Sequence, residues 1–337
     1  MRLADFDYEL PAERIAQTPI EPRDAARLLV DRGSAPPEHR HVRDLADILR
    51  PGDLLVINET KVLPARLSLV RATGGRAEVL MLEPLDGERK LWEALVRPAR
   101  KLKPGEVLFA PDATPVVEIG ARTDAGDTFV VTLLGSVDSL ELLAEHGEMP
   151  LPPYITERLA DPDRYQTIYA RQPASAAAPT AGLHFTNELF ARLSSAGVEH
   201  AKVELVVGLD TFRPITGDDP LQHRMHTERY LVPADTMQRC RDAERVVAVG
   251  TTSVRALESA AARGELEGRT DIFIHRGFDW QVVDLLMTNF HMPRTTLLMM
   301  IDAFVGDRWR DLYTVAQRSD YRFLSFGDAM LLDRHLV

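Results

Sequence analysis

The sequence is short of several features that often announce a function. Its 337 residues include one cysteine, Cys240, which excludes an internal disulfide framework and any thiolate metal cage built from a single chain. The longest apolar stretch, Leu297 to Val305, is interrupted by Asp302 and falls well short of the roughly 20 residues that span a bilayer. No membrane association is expected. The N-terminal Met1 to Asp7 carries acids where a secretion signal needs an apolar run, so a cytoplasmic location is expected. There is no Gly-x-Gly-x-x-Gly dinucleotide fingerprint, no Gly-x-Ser-x-Gly nucleophile elbow and no internal repeat. Without coiled-coil heptads or a terminal assembly segment, a monomer is expected. Positive charge is also in deficit, with 40 Lys and Arg against 51 Asp and Glu and a net charge of −11. That balance excludes a protein that coats nucleic acid non-specifically, because such binding rests on many cations meeting phosphates.

The 45% apolar content is enough for one large domain or two smaller ones with a buried core. Charge is unevenly spread. Between Lys61 and Lys103 there are ten basic and five acidic residues, a local balance of +5, which leaves −16 for the remainder. An acidic protein with one basic segment can still engage a polyanion locally.

The texture changes twice along the chain. A short helix from Arg43 ends at Pro51-Gly52, and Leu54 to Ile57 reads as a buried strand. Then come six short alternating segments, Leu67 to Val70, Ala77 to Leu82, Leu91 to Val96, Val107 to Phe109, Val116 to Ile119 and Phe129 to Leu134. Turn signals such as Gly74-Gly75, Asp86-Gly87 and Pro104-Gly105 separate them, as in a small barrel or sandwich. A helical stretch near Leu140 to Glu145 and a proline cluster close this region. From about Thr186 helices and strands alternate. Thr186 can cap a helix through Arg192 that stops at Gly197, and Ala201 to Val207 is strand-like. Ala234 to Glu244 is helical, Val246 to Val249 a buried strand, and helices are expected over Val254 to Arg263 and Thr295 to Phe304. The expected fold is α/β, a mixed sheet covered by helices, with residues 1–58 and 153–337 forming a discontinuous catalytic domain and 59–152 an inserted all-β, barrel-like domain.

Five loops carry the residue types that chemistry needs. In Val249-Gly250-Thr251-Thr252-Ser253-Val254-Arg255 a strand runs into a helix, so free backbone N–H groups and a partial positive charge converge where a carboxylate or phosphate binds well. Arg255 adds a charged fork, although plain capping by Thr or Ser explains the same letters, and the lysine of a P-loop is missing. Ala178-Pro179-Thr180-Ala181-Gly182-Leu183-His184-Phe185 makes a tight loop before a helix, with His184 suited to proton transfer or to a structural role. His223-Arg224-Met225-His226-Thr227-Glu228 raises the question of a metal, but the spacing differs from the zinc-protease pattern, and no metal is expected. Asn289 and His291, before Pro293, could read a nucleobase or ribose or could satisfy buried backbone groups. Tyr321 to Asp328 alternates like a strand entering a turn, with Asp328 a pocket acid or a turn former.

At these same loops the chain closely resembles the S-adenosylmethionine:tRNA ribosyltransferase-isomerases of queuosine biosynthesis. The resemblance runs nearly end to end, from Asp5-Phe6 and Arg27-Leu28-Leu29 through Pro51-Gly52-Asp53-Leu54-Leu55-Val56, Pro64-Ala65-Arg66, Met149-Pro150-Leu151-Pro152-Pro153-Tyr154-Ile155 and Tyr165-Gln166-Thr167. It continues in Ala178 to Phe185, His226, Val249 to Arg255, Thr288-Asn289-Phe290-His291 and Phe326-Gly327-Asp328-Ala329-Met330. It implies an α/β domain interrupted by a β-barrel, with no metal or redox cofactor. The implied reaction transfers and isomerises the ribosyl part of S-adenosylmethionine, a consumed substrate, onto 7-aminomethyl-7-deazaguanine at the tRNA wobble position. Epoxyqueuosine-tRNA, adenine and methionine are the products.

On that resemblance, His184 and His226 are the proton-transfer candidates. Thr251, Thr252 and Arg255 hold the methionine carboxylate or a phosphate, Asn289 and His291 line the nucleoside site, and Thr180, Gly182 and Asp328 complete the substrate loops. Arg97, Arg100, Lys101 and Lys103 are the expected contacts to tRNA phosphates, with a solvated basic loop as the alternative. Glu59 and Lys61 depart from the family's Asn-Asn-Thr-Arg pattern, as does Ala174-Ser175-Ala176 from its usual Gly-Ala or Gly-Ser followed by Val. In Leu205-Val206-Val207-Gly208-Leu209-Asp210-Thr211-Phe212, Val206 replaces a histidine and Asp210 a glycine. A β-carbon and a charge there would reshape the pocket or repel an anion. Two other functions fit the same residues: ribosyl transfer to a different amine, or RNA or nucleoside binding without catalysis.

Overall fold

The computed structural model describes residues 1–123, 126–135, 137–208, 215, 217–223, 225 and 227–336. The chain divides into two compact units, one of residues 1–60, 153–172 and 178–337, the other of residues 61–152 and 173–177.

The first unit is built on a nine-stranded mixed sheet in the order Glu267–Thr270, Glu228–Leu231, Glu199–Leu205, Asp53–Asn58, Arg245–Val249, Leu285–Asn289, Ala329–Asp333, Arg27–Val30, Glu38–His41. Its centre is four parallel strands, from Glu199–Leu205 to Leu285–Asn289, and the flanking strands are mostly antiparallel. Burial explains the continuous apolar run of Asp53–Asn58. Leu55 and Ile57 join Val247, Val249, Met287 and Leu331 in one cluster with Phe185, Leu189 and Leu193 of the Asn187–Ser195 helix region. The alternate residues Leu54, Val56, Val246 and Ala248 are buried as well, as a strand covered on both faces requires. The Gly250–Arg263 helix packs along all four central strands.

The second unit is a closed antiparallel barrel. Strands Arg66–Arg71, Arg76–Pro84, Leu91–Arg97, Phe129–Leu133, Pro115–Arg122 and Val107–Phe109 pair in that order, and the last pairs back to the first through Val70 with Phe109 and Arg71 with Leu108. Period-two alternation points Leu67, Leu69, Val79, Met81, Trp92, Ala94, Val96, Val117, Ile119, Val131 and Leu133 inward, all of them buried. Register shifts at Met81/Glu83, Leu108/Phe109 and Phe129/Val131 supply the bulges by which a sheet this small closes on itself.

Two local expectations are corrected. The helix expected from Val254 begins at Gly250, because Gly250 adopts φ +81°, a conformation glycine takes readily, and turns the chain from strand directly into helix. Tyr321 to Asp328 is not a strand. The Arg322 and Asp328 backbones close the segment on themselves, and the strand follows as Ala329–Asp333. Among the described residues no helix is long and apolar enough to cross a membrane.

Candidate active site

The parallel strands Arg245–Val249 and Leu285–Asn289 end side by side, and a cavity lies at those carboxyl ends, where open α/β sheets place their ligands. Gly250, Thr251 and Thr252 wall it from the first strand, and Thr288 to Met292 with Thr295 from the second. Ala178 to Ala181, Val207, Leu297, Leu324, Ser325 and Tyr154 complete the lining.

Its polar groups are held in three separate hydrogen-bonded groups. Thr180 Oγ1 donates to Asn289 Oδ1 at 2.9 Å, while Asn289 Nδ2 donates to the carbonyls of Leu324 at 3.1 Å and Asp328 at 3.4 Å. The amide is therefore held by three partners on two turns. His291 Nε2 lies 3.0 Å from Thr288 Oγ1, its backbone N–H donates to the Tyr313 hydroxyl at 2.9 Å, and the Tyr8 hydroxyl donates to its carbonyl. Burial pushes the imidazole down to about 3, so His291 is neutral at physiological pH. The Tyr154 hydroxyl meets Ser325 Oγ at 2.8 Å, and burial pushes it up to about 12. No side chain caps the Gly250–Arg263 helix, which removes the capping explanation of its hydroxyls. Ser253 donates back to the Val249 carbonyl, and Thr252 Oγ1 is buried without a protein partner. Every lining side chain is uncharged at neutral pH. Such a site suits a neutral, polar, ring-bearing ligand whose hydroxyls and edge nitrogens complete the set.

Thr180, Thr251, Thr252, Asn289 and His291 thus share one cavity, whereas the remaining candidates stand elsewhere. His184 is absent from the lining. Its Nδ1 faces the Ala181 carbonyl at 3.0 Å and its Nε2 the Gly327 carbonyl at 2.9 Å, so the ring ties the Thr180–His184 turn to the 324–328 turn. Burial holds its pKa below the ordinary histidine range. Asp328 also faces away, its carboxylate accepting the backbone N–H groups of Arg27 at 2.9 Å and Arg322 at 2.8 Å, as a turn former does. Gly182 is a packing position, since a Cβ there would lie 2.0 Å from the Tyr169 hydroxyl. Arg255 points to a second, smaller cavity and donates through Nη1 to Glu228, both side chains being buried. His226 lies outside the described residues, as does Asp210.

Among the described residues no three His, Cys, Asp or Glu side chains are grouped to hold a metal, and Glu228 instead receives Arg255 and, at 3.0 Å, the Gly208 N–H. Glu59, one of the family departures, pairs with Lys202 at 2.9 Å. In the barrel unit Arg97, Arg100, Lys101 and Lys103 are exposed on and after the Leu91–Arg97 strand, with Arg97 approaching Glu78 only to 4.0 Å. Sequence reasoning passed over Tyr154, Ser325 and Thr288 as cavity groups. The aromatic ring after Pro152-Pro153 was the available signal for the first, while the hydroxyls of the others look like those of any loop.

A protein-family model described as "Queuosine biosynthesis protein" matches residues 3–332. The S-adenosylmethionine:tRNA ribosyltransferase-isomerase of Symbiobacterium thermophilum is 51% identical over 343 aligned residues, covering 98% of this chain and 100% of that protein. The protein of the same name from Rubrobacter xylanophilus is 50% identical, with 98% of each chain covered. Among solved structures, the S-adenosylmethionine tRNA ribosyltransferase of Thermotoga maritima matches with a TM-score of 0.55 and 38% identity, over 97% of this chain and 99% of that one.

Proposed function

Because the chain belongs to the queuosine biosynthesis protein family, we propose that it is a transferase-isomerase acting on S-adenosylmethionine and tRNA. It transfers and isomerises the ribosyl group of S-adenosylmethionine onto the aminomethyl nitrogen of 7-aminomethyl-7-deazaguanine at the wobble position, releasing adenine and methionine. The end-to-end identity to relatives bearing that name carries this reading. The cavity supports it, because a ring of hydroxyls, one fixed amide and a neutral imidazole matches the uncharged adenosyl part of the substrate. Asn289, held from three sides, presents its amide in one orientation, and Thr251, Thr252 and Thr180 offer hydroxyls to the ribose. His291, neutral and hydrogen-bonded, contributes contact to the nucleoside rather than a resident positive charge. His184 acts through the Thr180–His184 turn as a positioning residue, and His226 is retained as the proton-transfer candidate.

S-adenosylmethionine is a consumed substrate and no separate cofactor takes part. The exposed Arg97, Arg100, Lys101 and Lys103 contact tRNA phosphates, and the enzyme works as a cytoplasmic monomer. Incubation with S-adenosylmethionine and tRNA carrying the deazaguanine amine, followed by mass spectrometry, tests the reading. Adenine, methionine and a ribosyl mass gain on the tRNA are expected. Adenine without modified tRNA would move the acceptor to another amine, and tRNA binding with neither product would leave a binding protein.

A further inference from the structure

The α/β unit has a second cleft, of about 370 Å³, walled by residues 168–171, the first turn of the Asn187–Ser195 helix, and His200 and Lys202 of the Glu199–Leu205 strand. None of these residues lines the nucleoside cavity. The two are neighbours all the same. A Cβ on Gly182 would meet the Tyr169 hydroxyl at 2.0 Å, so Tyr169 rests against the five-residue turn Thr180–His184, whose Thr180 and Ala181 wall that cavity.

Three rings line the cleft. Phe190 stands between Tyr169, at 5.8 Å and 82°, and His200, at 5.0 Å and 50°, centre to centre. Tyr169 and Phe190 are half-buried against the core, whereas His200 is exposed and makes no side-chain hydrogen bond among the described residues. Burial and the positive charges of Lys202 and Arg239 hold its pKa below the ordinary histidine range, so the ring offers an uncharged aromatic face at neutral pH. Polar groups at the rim are free as well. Thr186 caps the helix by accepting the Leu189 N–H at 3.1 Å, which leaves the exposed Asn187 amide unused. Lys202 is held by Glu59 at 2.9 Å, Arg23 donates to the Gln166 carbonyl at 2.7 Å, and Arg164 pairs with Glu21. The exposed Arg171 side chain has no such partner among the described residues.

An exposed ring, a free guanidinium and a free amide around one cleft add little to folding. They are the parts from which sites for single-stranded RNA are made: a face for stacking, a cation for a phosphate and an amide for a base edge. We infer that this cleft receives one unpaired nucleotide of the tRNA anticodon loop, beside the wobble nucleotide. Its base stacks on His200 and Phe190, Asn187 meets the base edge and Arg171 the phosphate. The volume suits a single ring-bearing group, and three rings with one free cation fit a nucleotide better than an acidic peptide. Contact of Tyr169 with the Thr180–His184 turn places the occupant next to the cavity that takes the ribosyl donor. This subsite rests on the proposed reaction, and its own content is that the α/β unit holds the RNA through a stacked base.

Binding of the full chain to tRNA carrying the deazaguanine amine, measured across a salt series, tests it. His200→Ala should weaken binding about tenfold, while His200→Phe, which keeps a stacking face, should stay within about twofold of the wild type. Arg171→Gln should flatten the slope of log affinity against log salt by about 0.7, the value for one phosphate on a single strand. Calorimetric affinity for S-adenosylmethionine should be the same in all four proteins, and a loss there in step with the loss of tRNA would make these residues structural and overturn the subsite. Equal loss in His200→Phe and His200→Ala would show that no base stacks on this ring. Wild-type tRNA affinity and slope in His200→Ala and Arg171→Gln would overturn the subsite while leaving the proposed reaction intact, and a wild-type protein that binds no tRNA would overturn both readings.

Discussion

In the α/β unit, Arg245, Arg276 and Arg308 reach carboxylates of Asp53, Asp302 and Asp31 that are 1 to 3% exposed, so the charges are spent inside the fold. In the barrel, Arg71 and Glu106 pair with both side chains partly exposed, and Arg97, Arg100, Lys101 and Lys103 stand in solvent around the buried Leu102. A buried pair is expensive to break, because the surviving partner keeps its desolvation cost, whereas an exposed cation contributes little to folding and is available to a partner. Charge is therefore committed to stability in the one region and left available to a partner in the other. Even Glu258, fully buried in the α/β unit, is taken up by the backbone N–H groups of Gln281, Val282 and Val283, between 2.9 and 3.1 Å.

The largest effect should come from breaking a buried pair. Arg245→Ala leaves the Asp53 carboxylate buried between the central strands with only the Arg50 N–H to answer it. A loss of about 3 kcal/mol in urea denaturation is expected. A loss below about 1 kcal/mol would erase the distinction between the two regions.

The next effect is a pH dependence. Folded His291 stays neutral down to about 3, but in the unfolded chain the imidazole takes a proton near pH 6.5. Between those values the unfolded state binds the additional proton. The contribution of His291 is therefore complete above about pH 6.5 and lost as pH falls toward 3, at about 1.4 kcal/mol per pH unit for one proton. Burial lowers His184 in the same direction, so it adds to the trend. Wild-type stability should fall more steeply than that of His291→Gln from pH 6 to pH 4.5, and parallel curves would show that His291 ionises in the folded protein.

Legibility followed the range of the interactions. The six barrel strands could be read because alternation and turns are local, and strands such as Leu91–Arg97 fall where the pattern places them. The α/β strands Arg27–Val30 and Ala329–Asp333 went unread because each pairs with the other across some 300 residues, and Glu228–Leu231 was hidden in a stretch that resembled a metal loop. At the site, hydroxyl and amide residues at strand ends were visible locally, which is why Thr180, Thr251, Thr252, Asn289 and His291 could be singled out before they met in one cavity. The position of His184 was not legible, since the Gly327 carbonyl that takes its Nε2 is 143 residues away. Nor was the split between Thr252 and Arg255, one turn apart on one helix yet facing different cavities.

The smallest change in stability, and the sharpest test of the contrast, belongs to the barrel turn. Each cation that neutralises a phosphate releases counterions, so the slope of log affinity against log salt counts the contacts. Reversing charge with Arg100→Glu and Lys101→Glu should leave the urea midpoint within the range of ordinary surface substitutions, about 0.5 kcal/mol, because both side chains are exposed. It should nevertheless weaken tRNA binding about tenfold near 0.1 M salt and flatten the salt slope by about two. An unchanged slope would return these residues to solvated surface, and the basic stretch between Lys61 and Lys103 would then have no assigned role in binding. A flattened slope together with a large loss of stability would break the comparison from the other side, since the barrel charges would then hold the fold together just as Arg245 does.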